Sequence, residues 1–68
     1  GHGCRVDDYC WINSGVSVGG ETHLEEGCFL GINATIGDNI VIGHHNFIGA
    51  HTLIPRSTQA EEVFVAAA

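Results

Sequence analysis

Leu24-Glu25-Glu26-Gly27-Cys28-Phe29-Leu30-Gly31-Ile32-Asn33-Ala34-Thr35-Ile36-Gly37-Asp38-Asn39-Ile40-Val41-Ile42 carries its aliphatic side chains Leu24, Leu30, Ile36 and Ile42 at a spacing of six. The same spacing continues in both directions without a break, through Val6, Ile12 and Val18 on one side and Ile48 and Ile54 on the other. A helix would place apolar residues at i, i+3, i+4 and i+7, whereas an even period keeps one face of an extended chain pointing inward. Each hexad therefore reads as a short strand followed by a corner. The residues three places after the aliphatic include Gly15, Gly27, Asn33, Asn39, His45 and His51, types that tolerate the positive φ of a tight corner.

Three strands close a triangular coil, so residues 18 apart stack at about one strand spacing, roughly 4.8 Å. The fold class expected is all-β, a left-handed parallel β-helix of about three coils over residues 1–54, with residues 55–68 as a C-terminal closing segment. All nine aliphatics are expected inside. Val6, Leu24 and Ile42 line one face, Ile12, Leu30 and Ile48 the second, and Val18, Ile36 and Ile54 the third. Two residues before each lies a second inward row, mostly small, which includes Cys4, Cys10 and Cys28. Free cysteine packs as a small hydrophobe, so packing is expected rather than a Cys10–Cys28 bridge. Beyond Ile54 the period fails, and Val63-Phe64-Val65 reads as a short strand closing the last coil. Solenoids normally cap their open strand edges, so the uncapped start suggests the core module of a longer protein.

A chain of 68 residues buries only about 60% of its unfolded surface, which favours self-association. Outward-pointing Trp11, Phe29 and Phe47, each 18 apart, form an aromatic ladder on the second face. Such a strip suits a subunit interface, with a ligand-stacking wall as the alternative. The net charge of −6, with Arg5 and Arg56 as the only basic side chains apart from histidine, argues against nucleic acid and anionic membranes as partners. The odd count of three cysteines fits a reducing compartment, and a cytoplasmic location is expected.

The nine hexads resemble the left-handed β-helix acyltransferases. Gly1-His2-Gly3-Cys4, Gly19-Gly20 and Cys28-Phe29-Leu30-Gly31-Ile32-Asn33 are similar to the sialic-acid and bacillosamine-type sugar acetyltransferases, a likeness running through Val63-Phe64-Val65. The resemblance implies a homotrimer, acetyl-CoA as acyl donor, and a sugar or amino-sugar hydroxyl or amine as acceptor. It further implies that His2 is the general base, and that Ile32 and Ala50 hold the pantetheine arm through their backbones. Gly20, 18 residues after His2, stands on the same corner line, where its N–H suits the oxyanion of acyl transfer. Arg56 is the candidate for a coenzyme phosphate. The related enzymes carry an acidic residue beside the histidine and a second histidine nine places on, where this chain has Gly3 and Trp11.

Two further readings remain open. One is an inert trimeric scaffold, consistent with Gly3 and Trp11 at those places. The other is a zinc protein of γ-carbonic-anhydrase type, which needs two histidines five residues apart. His44 and His51 are seven apart, His45 and His51 six, and position 49 is glycine, so no metal ligand is assigned. His45 and His51 occupy corner slots and read as conformational; His23 is outward on the first face, and His44 is the one placed toward a cleft between subunits.

Overall fold

The structure, a computed structural model, describes residues 3–66. It contains ten two-residue strands and, among the described residues, no helix. In chain order they are β1 (Arg5–Val6), β2 (Trp11–Ile12), β3 (Ser17–Val18), β4 (His23–Leu24), β5 (Phe29–Leu30), β6 (Thr35–Ile36), β7 (Val41–Ile42), β8 (Phe47–Ile48), β9 (Leu53–Ile54) and β10 (Val63–Phe64). From β1 to β9 strands pair in parallel three apart along the chain, and β10 pairs in parallel with β8, giving three sheets ordered β1-β4-β7, β10-β8-β5-β2 and β3-β6-β9. The chain is a left-handed parallel β-helix of about three coils.

The register is the one that the hexad period requires. Val6 sits on Leu24 and Leu24 on Ile42; Ile12 on Leu30 and Leu30 on Ile48; Val18 on Ile36 and Ile36 on Ile54. All six corner residues anticipated at positive φ have it, from 53° at Asn39 to 74° at Gly15. Gly3, Tyr9, Glu21 and Glu61 join them, although tyrosine and glutamate advertise no such preference. At Gly31 a different constraint acts, since a Cβ there would lie 2.5 Å from the backbone nitrogen of Ala50 in the next coil.

Leu24, Leu30, Ile36, Ile42, Ile48 and Ile54 are buried, each at most 4% exposed. The expectation that all nine aliphatics lie inside is corrected at the first coil. Val6 is 47% exposed and Ile12 43%, and Val18 is only half-buried. These three side chains point inward but have a stacked coil on one side only, so half of the packing that covers Leu30 or Ile48 is missing.

In the second inward row, polar atoms turn to the backbone of the following coil. The Thr22 hydroxyl donates to the Gly37 carbonyl (2.7 Å), and the thiols of Cys10 and Cys28 donate to the carbonyls of Glu25 and Gly43 (3.2 Å each). All three cysteines are free. Burial pushes the Cys28 thiol above its ordinary pKa, as expected for a packed rather than a reactive sulfur. Among the described residues, no buried side-chain nitrogen or oxygen lacks a hydrogen-bond partner.

The closing stretch takes the place of a fourth strand on the first face. Thr58 donates its N–H to the Val41 carbonyl (2.9 Å), while the hydroxyls of Ser57 and Thr58 accept from the N–H groups of Val41 (2.9 Å) and Gly43 (3.0 Å). Buried Asn46 locks the segment from below: its amide donates to the Gln59 carbonyl (2.7 Å), and its Oδ1 accepts from the Thr58 hydroxyl (2.6 Å). The chain then rejoins the second face with Val63 on Phe47, 16 residues on rather than 18. Two residues are saved because the first-face passage is not a regular strand.

Candidate functional site

Loops are where a rigid solenoid displays chemistry, and here the loops are three corner lines running along the coil axis. The line between the third and first faces carries Gly20, Asp38 and Arg56 at successive 18-residue steps. Gly20 donates its N–H to Asp38 Oδ1 (3.0 Å), so this amide must exchange that partner before it can meet an oxyanion. Arg56 is exposed and, among the described residues, forms no ion pair. It lines a cleft of about 340 Å³ together with Leu53, Pro55, Thr58, Glu62 and Phe64. His2, the base expected on this line, lies outside the described residues.

Between the second and third faces, the next line carries Ile32 and Ala50, both exposed. Their amides have no acceptor among the described residues, whereas the Ile32 carbonyl accepts from His51 (2.9 Å). Two open N–H groups one coil apart can bind an extended chain of amide oxygens. The structure thus brings Gly20 and Arg56 together on one line and sets Ile32 and Ala50 on another, with the third face between them.

On the third line, between the first and second faces, sequence reasoning placed only His44 toward a cleft, one between subunits, and assigned no catalytic or binding role. Asp7, Glu25, Glu26, His44 and His45 line a cleft of about 440 Å³ there. Glu25 Oε1 accepts the His44 N–H (3.0 Å), and the Nδ1 atoms of His44 and His45 face each other at 3.0 Å. The signal was present in the pairs Asp7-Asp8, Glu25-Glu26 and His44-His45, which recur about one coil apart. Reading His45 as a corner former hid it. Among the described residues, no three His, Cys, Asp or Glu side chains already converge as a metal-binding group.

On the first face beside this cleft, Asp7 bridges His23 (2.8 Å) and Arg5 (3.2 Å). The hydrogen bond from His23 holds the Asp7 carboxyl below its ordinary pKa, against a smaller opposing effect of burial.

The aromatic ladder is shorter than anticipated. Phe29 and Phe47 stack with ring centres 4.7 Å apart and planes 2° from parallel. Trp11, 67% exposed, instead donates its indole N–H to Asn13 Oδ1 (3.3 Å), so the expected third stacked ring is corrected to a hydrogen-bonded indole. Exposed Val63 extends the same row at the other end.

Residues 21–56 match the protein family described as bacterial transferase hexapeptide (six repeats). The chain belongs to that family. The matched stretch holds the hexads from Leu24 to Ile54, so the segment that identifies the family is the segment whose aliphatics are fully packed. Searches of curated proteins and of solved structures found no match. Among the described residues of this hexapeptide-family chain, no helix is long and apolar enough to cross a membrane.

Proposed function

We propose that this chain is the β-helical core of an acetyl-CoA-dependent acetyltransferase acting on a sugar or amino-sugar hydroxyl or amine. The observation that carries the reading is the match to the transferase hexapeptide family over the packed coils. The open amides of Ile32 and Ala50 support it, because a pantetheine arm is an extended chain with two amide groups that can pair with backbone donors spaced at one coil. Arg56, exposed at the end cleft and without an ion pair among the described residues, is the cation for a coenzyme phosphate. His2 acts as general base, taking the acceptor's proton as the acceptor attacks the thioester; Gly20, released from Asp38, donates to the oxyanion.

The assembly proposed is a homotrimer, with the Phe29 and Phe47 strip buried between neighbours. A cytoplasmic location accompanies it, given the free cysteines and the intracellular coenzyme.

The competing reading, a trimeric scaffold without catalysis, is favoured by one observation: the Gly20 amide is already engaged by Asp38. A thiol-release assay with acetyl-CoA against a panel of sugars and amino sugars separates the two. Under the enzymatic reading, His2→Ala lowers the rate by about 10²–10⁴-fold, the usual contribution of a positioned proton acceptor, while acetyl-CoA affinity holds. Absence of acetyl-CoA binding at millimolar concentration in a confirmed trimer would establish the scaffold instead.

A further inference from the structure

Gly3 and Glu21 stand 18 residues apart on the corner line between the third and first faces, at φ of 71° and 57°. The chain next to His2 therefore carries no carboxylate of its own, because position 3 takes a left-handed conformation that side chains rarely adopt. One is supplied from the following coil: the Glu21 Cγ lies 3.5 Å from where a Cβ on Gly3 would stand. Glu21 is exposed, and among the described residues its carboxylate forms no ion pair. We infer that Glu21 is a positioning residue for acyl transfer, its carboxylate reaching across Gly3 to orient the His2 imidazole, an inference that rests on the enzymatic reading above.

An imidazole accepts a proton at one ring nitrogen only while the other keeps its hydrogen. A carboxylate at that second nitrogen fixes the tautomer and stabilises the imidazolium as it forms. His2 is one peptide bond from Gly3, with its Cα about 3.8 Å from that of the glycine, so a carboxylate lying over Gly3 is within reach of the side chain before it. The other charged groups near this corner are committed or distant. Asp38 is held by the Gly20 N–H (3.0 Å), Arg5 is paired with Asp7 (3.2 Å), and Arg56 lies two coils beyond Gly20 on the line. In the reaction the acceptor's oxygen or nitrogen bonds to the thioester carbon while its proton passes to His2. The carbon–sulfur bond then breaks and His2 returns the proton to the coenzyme thiolate. Glu21 holds the ring throughout and neither gains nor loses a proton.

The test compares the wild type, Glu21→Gln and Glu21→Asp on the full chain, by acetyl-CoA turnover against the sugar and amino-sugar panel and by nuclear magnetic resonance titration of the His2 ring protons. Glutamine keeps the shape of the side chain and removes its charge; aspartate keeps the charge. Glu21→Gln should lower kcat by about 10–100-fold, less than the loss at a buried triad carboxylate, while acetyl-CoA affinity and Tm hold. Its His2 midpoint should move down by about half a pH unit or more, the effect of losing one negative charge a few ångströms away in water. Glu21→Asp should stay closer to the wild type on both readouts. Wild-type kcat and midpoint in Glu21→Gln, equal losses in the two variants, or a parallel fall in acetyl-CoA affinity and Tm would each overturn the assignment, the last by making Glu21 a structural corner residue. A wild type that turns over nothing in the panel overturns the enzymatic reading and the role of Glu21 with it, whereas an active wild type with an indifferent Glu21→Gln overturns the role of Glu21 alone.

Discussion

Ile12 and Ile48 occupy equivalent places in one inward row of the second face, yet one is 43% exposed and the other fully buried. Truncating each to alanine removes the same atoms from different surroundings. At Ile48 the lost transfer free energy adds to a cavity walled by Leu30 below and Phe64 above, and isoleucine-to-alanine changes in such sites cost about 2–5 kcal/mol. At Ile12 one wall is already missing, so little cavity forms and the cost falls to about 1 kcal/mol, in keeping with partial burial of three carbons at about 0.8 kcal/mol each. A domain of this length is stable by about 3–10 kcal/mol, so Ile48→Ala consumes a large part of the total. Urea unfolding followed by circular dichroism at fixed protein concentration measures both changes from the midpoints. Equal costs at the two positions would refute the reasoning, because they would mean that burial in this stack does not depend on having a coil on each side.

Three other outcomes are expected. Phe29→Asp sets an uncompensated charge in the aromatic strip, and light scattering should show self-association weakened or lost; an unchanged oligomer would place the strip in solvent. Gly31→Ala forces a Cβ to within 2.5 Å of the Ala50 nitrogen and should lower Tm by several degrees, whereas Gly37→Ala, with its nearest neighbour at 3.4 Å, should cost less in the same melt. The carboxyl of Asp7 is held below its ordinary value, so its contribution is present above the unfolded-state pKa, near 3.8, and is lost as pH falls through the lower folded value. Asp7→Asn should therefore flatten the acid limb of the urea midpoint between about pH 5 and 2, and a parallel wild-type profile would remove the pair from the stability of the fold.

The strand positions were legible because one physical signal, inward aliphatics at an even period, repeats without interruption from Val6 to Ile54. Six corners were legible through Gly, Asn and His, which adopt positive φ easily; Tyr9 and Glu21 were not, since there the coil register imposes the conformation on residues that do not favour it. Exposure of Val6 and Ile12 follows from which coils have neighbours, a property of the stack that no hexad records by itself. The candidate site was legible only as a set of corner positions. Spacing alone places Gly20 in line with Asp38, but the hydrogen bond between them depends on a rotamer, and so does the opposed imidazole pair at His44 and His45. Val63 on Phe47 escaped the hexad count because the turn that joins them is two residues short.

That strict 18-residue register makes the molecule behave as a ruler with a compass attached. A duplicated coil, for instance a second copy of residues 25–42, lengthens the stack by about 4.8 Å and returns every later side chain to its own face. An insertion of one hexad would also keep all aliphatics inside, yet it would turn everything beyond it by a third of a revolution, carrying Phe47 off the Phe29 row and His44 away from Glu25. Length changes in whole coils preserve the surface pattern, and length changes in hexads rewrite it while leaving the core content the same. Natural variation in such a chain is therefore expected to respect the coil, not the hexad, wherever a surface contact matters.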